Sequence, residues 1–573
     1  MSFLLKGVKM KTFELQQSVF FADKNYLKNK ISELFEELDS QRQKQKQDIK
    51  DVQDAIFLNN PDKFQMTDLF ELYQTFKAHI WENLYSNIEL LFDVKGLNET
   101  SQKTAVLQKH NLQKYFELAK LPNVLDEAID FLIRKSEAIV FVGWCTKEKF
   151  IRRKKDVPVF DKNGKKTSKV RKEIVVERQK VYDGLDLKAI DPENIVFDVE
   201  NHSYFIYQTF VTISELESIQ GFNCLDKETF EQIKVYAKKQ SKSAVKGIVD
   251  DKVELLEYWG DIRLPDGSIA KNQVIVVAAR QFVVRQELNP YIINPFVVME
   301  ILKDPSTNRG FVYLKTALQM KEKSQQIFIN QLRALEFITN PAYLAPKGAF
   351  SSIDQNAEPG KIIEYEASLM PQAPVPLNMT GALQGWEFLN YLKNVEETAT
   401  GIFKNFTGVI DKTRSATEVQ ATIGGQNSRL AMIIDQINQY LVIPIIEKSA
   451  ELIANLIFEK EEIFVNEDEN QKTEFIDANV RNGNYKYLYG DRNAMQVRKF
   501  KVKEMFDICS NMLKTFPELQ NLINPLEAFK FVLEQYGYDN FERFRKDEIS
   551  GGINFSSNFS AQRDASKQRM ENF

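Results

Sequence analysis

The chain has 573 residues, and at roughly 150 residues per folding unit it is too long for one hydrophobic core. With 43% hydrophobic and 27% charged residues it has the make-up of a soluble globular protein, which excludes wholesale disorder and a mainly membrane-embedded chain. Its net charge of -4 excludes a uniformly basic nucleic-acid binder, so any contact with DNA must come from local patches.

Met1 to Lys6 is too short an apolar run for a signal peptide. No segment carries the ~20 uninterrupted apolar residues of a spanning helix, so no membrane association is expected. Cys145, Cys224 and Cys509 are far apart and lack CxxC spacing, which argues against a zinc or disulfide framework and reads as small buried hydrophobes.

From Leu15 to Ile56 the pattern is charged and helical, with Ile31, Leu34, Phe35 and Leu38 at 3–4 spacing; an exposed N-terminal helical arm over residues 1–60 is expected. Asn60-Pro61 breaks it, and Leu69, Tyr73, Phe76, Ile80 and Leu84 then repeat at helical period. Two more helices are expected, about Ser101 to Ala119 and Val124 to Lys135. Residues 139–310 read as mostly β. Asn163-Gly164 is a type I′ hairpin signal, because that turn needs two residues tolerant of positive φ, and the return strand is expected over Glu173 to Val181. Ile195 to Asp198, Tyr204 to Phe210, Val253 to Tyr258 and Val274 to Gln286 supply further strands, with Leu264-Pro265-Asp266-Gly267 as a turn and helices near Ser214 and from Lys227 to Lys239. The fold class is α+β, predominantly helical, without regular βα alternation.

A long helix over about 311–340 follows, with Leu314, Ala317, Leu318, Ile327, Phe328, Leu332, Leu335 and Ile338 on an apolar stripe and Lys315, Lys321, Lys323 and Arg333 around the rest. Asn340-Pro341 stops it. A Pro/Gly-punctuated excursion holds one strand, Lys361 to Tyr365, and a second helix carries Leu383, Phe388, Leu389, Leu392 and Val395. A polar gap with Lys404, Lys412 and Arg414 leads to a third helix, begun by a capping box of Ser415 and Glu418, in which Gly424-Gly425 is expected to kink and Pro444 to bend. Strands at Ile463 to Val465 and Tyr485 to Tyr489 and helices over 494–516 and 525–536 complete the chain, with a loose tail from Gly551.

The sequence contains no GxxxxGK[ST], GxGxxG, HExxH or GxSxG motif, which weakens most enzyme readings. His79, His110 and His202 are too scattered for a metal site or triad and read as surface or capping residues. Asp250-Asp251 and Glu396-Glu397 could hold Mg²⁺ but read as solvated acids. The richest basic cluster, with Arg152, Arg153, Lys154, Lys155, Lys165 and Lys166 around the Asn163-Gly164 turn, suits nucleic acid, an acidic protein surface or simple solvation.

Val375-Pro376-Leu377-Asn378, the helix around Trp386 to Val395, Thr398 to Gly401 and Ser415-Ala416-Thr417-Glu418-Val419 follow one another in an order that resembles the portal proteins of short-tailed phages. The resemblance covers about 130 residues. It implies a portal-like fold assembling as a ring, usually of twelve subunits, with a central channel at one capsid vertex. Residues 61–310 and 415–489 would be the wing, 311–340 and 381–402 the stem helices, 341–380 the clip, 403–414 the tunnel loop and 490–573 the crown and tail. Lys404, Lys412 and Arg414, with Lys315, Lys321, Lys323 and Arg333, would face double-stranded DNA without reading its sequence. Lys347, Phe350, Asp354, Glu358 and Lys361 would present the clip to the terminase large subunit and to tail or adaptor proteins. The major capsid protein would be a further partner, the virion the location, and the host cytoplasm the place of assembly. No cofactor, metal or catalysis is implied. The alternatives are another virion ring or scaffold component, or a carboxylate- and Mg²⁺-dependent phage nuclease.

Overall fold

Apolar residues spaced at 3–4 positions set the helical layers of the protein. The computed structural model describes residues 23–59, 67–84, 91–160, 166–220, 224–240, 248–249, 252–339, 343–346, 362–365, 375–376, 385–400, 430–467 and 470–489. Helix α1 (Lys24–Gln41) begins where the Asp23 carboxylate accepts from the Asn25 amide, and it buries Leu27, Ile31 and Phe35. Helix α2 (Gln43–Ile56) buries Ile49, Val52 and Ile56. Between them Arg42 leaves helical geometry, and its guanidinium, 1% exposed, donates to the carbonyls of Ile195 at 2.6 Å and Pro192 at 2.7 Å. The expected exposed arm is therefore corrected over its described residues: both helices pack into the body, and a buried arginine locks the joint between them.

Helix α3 (Asp68–Leu84), strand β1 (Phe92–Gly96), and helices α4 (Glu99–Ala119) and α5 (Leu121–Lys135) follow, with Asn98 capping α4 and Lys120 in the left-handed region turning the chain into α5. They share the largest core, in which Phe76, Phe92, Phe116, Leu132 and Phe141 are fully buried. Strands β2 (Glu137–Phe160) and β3 (Lys166–Ile190) then pair antiparallel from Ile139↔Ile190 to Phe160↔Lys166. This ribbon is far longer than the expected hairpin. Its turn, with Asn163-Gly164, lies outside the described residues.

Strands β4 (Ile195–Phe197), β5 (Tyr204–Thr212), β6 (Ile248–Val249), β7 (Lys252–Arg263), β8 (Ile269–Ala278) and β9 (Phe282–Leu288) form an antiparallel sheet of order β4-β5-β7-β8-β9, with β6 beside β7. Helix α6 (Ile213–Glu217), started by a Thr212–Glu215 capping box, and helix α7 (Lys227–Gln240) cover one face, and α1 covers the other. With both faces covered, Val253 to Trp259 of β7 is buried without a break, Glu254 and Glu257 included. Glu254 within it is 1% exposed and is met by Arg280 Nε and Nη2, both at 2.8 Å. The expected single strand Val274 to Gln286 is two strands: Ala279 (φ 48) and Arg280 (φ 57) make the turn with no glycine or asparagine to announce it. At Leu264 to Gly267 the turn is where the sequence places it, with Gly267 N donating to Leu264 O at 3.0 Å.

Strand β10 (Phe296–Glu300) pairs with the base of β2, and helix α8 (Lys315–Thr339) leaves the body. Strands β11 (Tyr343–Pro346), β12 (Ile362–Tyr365) and β13 (Val375–Pro376) form a small sheet in which β11 is central, parallel to β12 and antiparallel to β13; only β12 is anticipated by the sequence. Helix α9 (Gly385–Thr400) returns beside α8. Helix α10 (Leu430–Leu456) is by length and composition apolar enough to cross a membrane, yet Ile437, Leu441, Ile445, Ile446, Leu452 and Ile453 lie in the main core. Asn438–Val442 forms a π-turn that ends two positions before Pro444, whose missing N–H cannot continue the α-helical ladder. The expected kink at Gly424-Gly425 lies outside the described residues.

Strands β14 (Glu461–Glu467) and β15 (Asn470–Ile476), helix α11 (Ala478–Arg481) and strand β16 (Tyr485–Tyr489) end the described chain, and β16 pairs with β1. The chain divides into two compact units, Met1–Ile463 with Phe475–Gly490, and Phe464–Glu474 with Asp491–Phe573. The helices expected over 494–516 and 525–536 lie outside the described residues.

Candidate functional site

The features that set this molecule apart are a long helix rooted in the body, a partner helix beside it, and a basic two-stranded ribbon. The root is a buried polar knot. Glu137, at the first position of β2, is 0% exposed and receives Arg309 Nε at 2.9 Å and Nη2 at 2.6 Å. The same carboxylate accepts from the Gly310 amide at 2.9 Å and from Gln45 Nε2 at 3.0 Å. Burial alone would push this carboxyl up, but the Arg309 charge and hydrogen bonds outweigh it and hold it below the usual carboxylate range. Gly310 sits so close that a Cβ there would meet the Ser136 carbonyl oxygen at 2.5 Å. Thus the segment entering α8 is fixed to α2 and β2 by groups whose buried charges are paired.

The next turns are tied to the same body. Tyr313 stacks on Phe76 at 5.5 Å, Lys315 pairs with Asp48, and Lys321 Nζ donates to the Ala55 carbonyl at 2.9 Å, in the last turn of α2, where carbonyls lack helical partners. Lys321 is only 3% exposed. The expectation that Lys315 and Lys321 face DNA is corrected by these positions: both ammonium groups are used to hold α8 against α2. Lys323 and Arg333 are exposed, as are Glu322 and Glu336, so the open side of α8 carries both signs of charge.

The apolar stripe expected on α8 is displaced. The buried positions are Ala317, Lys321, Ser324, Gln331 and Ala334, whereas Leu332, Leu335 and Ile338 are 36–41% exposed. Helix α9 buries Leu389 and Leu392 but leaves Phe388 and Tyr391 50% and 59% exposed, their rings stacked at 5.9 Å. Both helices therefore present large apolar side chains to the outside of the single chain.

On the ribbon, Arg152, Arg153 and Lys154 are exposed. Lys155 and Lys166 stand in the ladder opposite Glu173 and Phe160, and Lys165 lies outside the described residues. The predicted tunnel-loop and cap residues Lys404, Lys412, Arg414, Ser415 and Glu418 and the clip residues Lys347, Phe350, Asp354, Glu358 and Lys361 also lie outside them.

Among the described residues no three His, Cys, Asp or Glu side chains gather into a metal-holding group. His110 bonds the Val106 carbonyl, and His202 packs edge-on against Phe197 at 5.3 Å, its pKa lowered by burial and then by the Lys303 charge. Asp250-Asp251 and the Glu396-Glu397 side chains fall outside the description. Cys145 is buried as expected; Cys224 is only half-buried. The knot of Arg42, Gln45, Glu137 and Arg309 escaped the sequence reading because its members come from distant segments and no local pattern marks them.

An α+β body that projects a helix pair is an architecture for holding a shape, and comparison gives that shape a family. The model of the phage SU10 portal protein family matches residues 118–474, more than half of the chain. The chain belongs to that family and is a tailed-phage portal protein. No curated protein matches the sequence.

Proposed function

We propose that this portal protein assembles into a ring, with twelve subunits as the usual number for portals, whose central channel at one capsid vertex passes double-stranded DNA into the head during packaging and out during ejection. The observation that carries the reading is the pair α8 and α9, rooted by the Glu137–Arg309 knot and bearing exposed Leu332, Leu335, Ile338, Phe388 and Tyr391. Apolar groups of that size on adjacent helices favour contact between copies. In this reading α8 and α9 are the stem, 341–380 the clip that docks the terminase large subunit and later tail or adaptor proteins, and 61–310 with 415–489 the wing that meets the major capsid protein. Residues 490–573 form the crown, and 403–414 the tunnel loop.

DNA contact falls to Lys404, Lys412 and Arg414 in that loop, and on the stem to Lys323 and Arg333. The charge of both signs on α8 suits sliding, because each tight phosphate contact in a channel acts as a brake. The protein itself catalyses nothing; the motor is its partner. Assembly takes place in host cytoplasm and the product is part of the virion.

Electron microscopy of the purified chain tests the assembly: rings with a central channel support the reading, and a monomer that cleaves DNA with Mg²⁺ sinks it. Exchanging Lys404, Lys412 and Arg414 together for Ala tests the channel. Packaging unchanged in that variant removes the tunnel-loop assignment.

A further inference from the structure

The ribbon of β2 and β3 stays paired well beyond the core. Its base is buried at Trp144, Leu185 and Leu187, and the register shifts between Lys147 and Glu148. From Glu148 to Phe160 it runs on for roughly 40 Å at ~3.3 Å per residue. Cross-strand pairs Phe150↔Arg178, Arg152↔Val176 and Lys154↔Ile174 fall on one face. On that face Phe150 is 65%, Ile174 68% and Val176 56% exposed, and Arg178 lies over the Phe150 ring at 5.3 Å.

Two physical arguments say that something covers this face. An isolated two-stranded ribbon is marginal in water and gains stability only by packing. Three adjacent large apolar side chains on an exposed face mark a protein contact more than a phosphate contact, since phosphates are met by charged and polar donors and gain nothing from Phe, Ile or Val.

Charge says what the cover is. Residues 147–182 contain fourteen Lys and Arg against five Asp and Glu, a surplus of +9, which leaves -13 on the rest of a chain whose total is -4. The body of a second copy is therefore the opposite charge to the ribbon. We propose that the ribbon is a docking arm whose Phe150, Ile174 and Val176 face, framed by Arg152, Lys154 and Arg178, lies on the acidic surface of a neighbouring copy of this chain. The inference rests on the ring reading and deepens it: each wing clasps the next, outside the stem contacts, through an interface with an apolar centre and a charged rim.

The test uses the full chain assembled from equal parts of unlabelled and ¹⁵N-labelled protein, treated with a zero-length carbodiimide that joins lysine amines to touching carboxylates. The expected result is mixed-label peptides linking Lys154, on the docking face, of one copy to Asp or Glu of another. The variant Arg152→Glu with Arg178→Glu, which keeps the Lys154 amine, is expected to lose these links and to assemble with at least tenfold weaker association at low salt. A wild-type chain that stays monomeric overturns the ring reading and the arm with it. Rings whose Lys154 links only within its own copy overturn the arm alone. So does a charge-reversed variant that assembles normally but no longer shifts a short duplex in a gel, since that outcome assigns the ribbon to DNA.

Discussion

Glu137 and Arg309 are joined by two hydrogen bonds, at 2.9 and 2.6 Å, with the carboxylate wholly buried and the guanidinium 5% exposed. The arginine also lies 3.9 Å from the Phe197 ring centroid. Removing one partner leaves the other charged in a place water cannot reach, which costs about 3–5 kcal/mol. Glu137→Gln and Arg309→Met are each expected to destabilise the chain by that amount in chemical denaturation. The double variant is expected to cost less than the sum of the two, because neither charge is then orphaned. Additive losses would show that the pair is not coupled.

The same pair sets an acid limit. The folded Glu137 carboxyl is held below its unfolded value of about 4.3, so the folded state binds its proton less readily than the unfolded chain does. Its contribution is complete above that pH and is lost as pH falls toward the folded value. Stability measured from pH 6 downward is expected to drop below about pH 4.3, and Glu137→Gln should flatten that limb. An unchanged acid limb in the variant would assign it to other carboxylates.

Lys321 separates a structural role from a channel role. Its ammonium bonds the Ala55 carbonyl and is 3% exposed. Lys321→Met leaves that carbonyl without its partner, at a cost of about 1–3 kcal/mol. Lys323→Ala and Arg333→Ala, at exposed positions, should stay within about 0.5 kcal/mol of wild type. Thermal denaturation of the three variants decides: if Lys321→Met matches the other two, the helix is held by something else.

Much of this architecture is written in local patterns. Leu69, Tyr73, Phe76, Ile80 and Leu84 announce α3 because their apolar period coincides with the face the core buries, and Leu264 to Gly267 announces its turn because glycine alone takes φ 85 cheaply. What local pattern cannot carry is which face meets what. Lys321 reads as a channel-facing charge and Arg42 falls within the expected exposed arm, since nothing near them in sequence reveals that Ala55 and Ile195 supply carbonyls. Glu137 and Arg309 are 172 residues apart, a pairing fixed only once β2 and the entry to α8 meet. Ala279-Arg280 turns a hairpin with positive φ and no turn residue, held by the ion pair to Glu254. The family was legible from the order of elements over 375–419, a stretch largely outside the described residues; the match to residues 118–474 reaches it independently.

The outward apolar groups of α8 and α9 give the last test of assembly. Leu335 is 36% and Tyr391 59% exposed in the single chain, so replacing them with Ser removes the part of each side chain that already packs, at a cost to the subunit of about 1–2 kcal/mol for Leu335 and less for Tyr391. If neighbouring stems cover the exposed part of both in a ring, the pair together loses ~1.5–3 kcal/mol of burial on substitution, and tenfold in association follows from every 1.4 kcal/mol. Leu335→Ser with Tyr391→Ser is therefore expected to stay folded, unfolding at modestly lower denaturant concentration, while its rings dissociate at protein concentrations at least about tenfold higher, as read by mass photometry. Rings that persist undiluted by these changes would place both side chains away from the subunit contact, and would leave the ribbon and wing to hold neighbouring copies together.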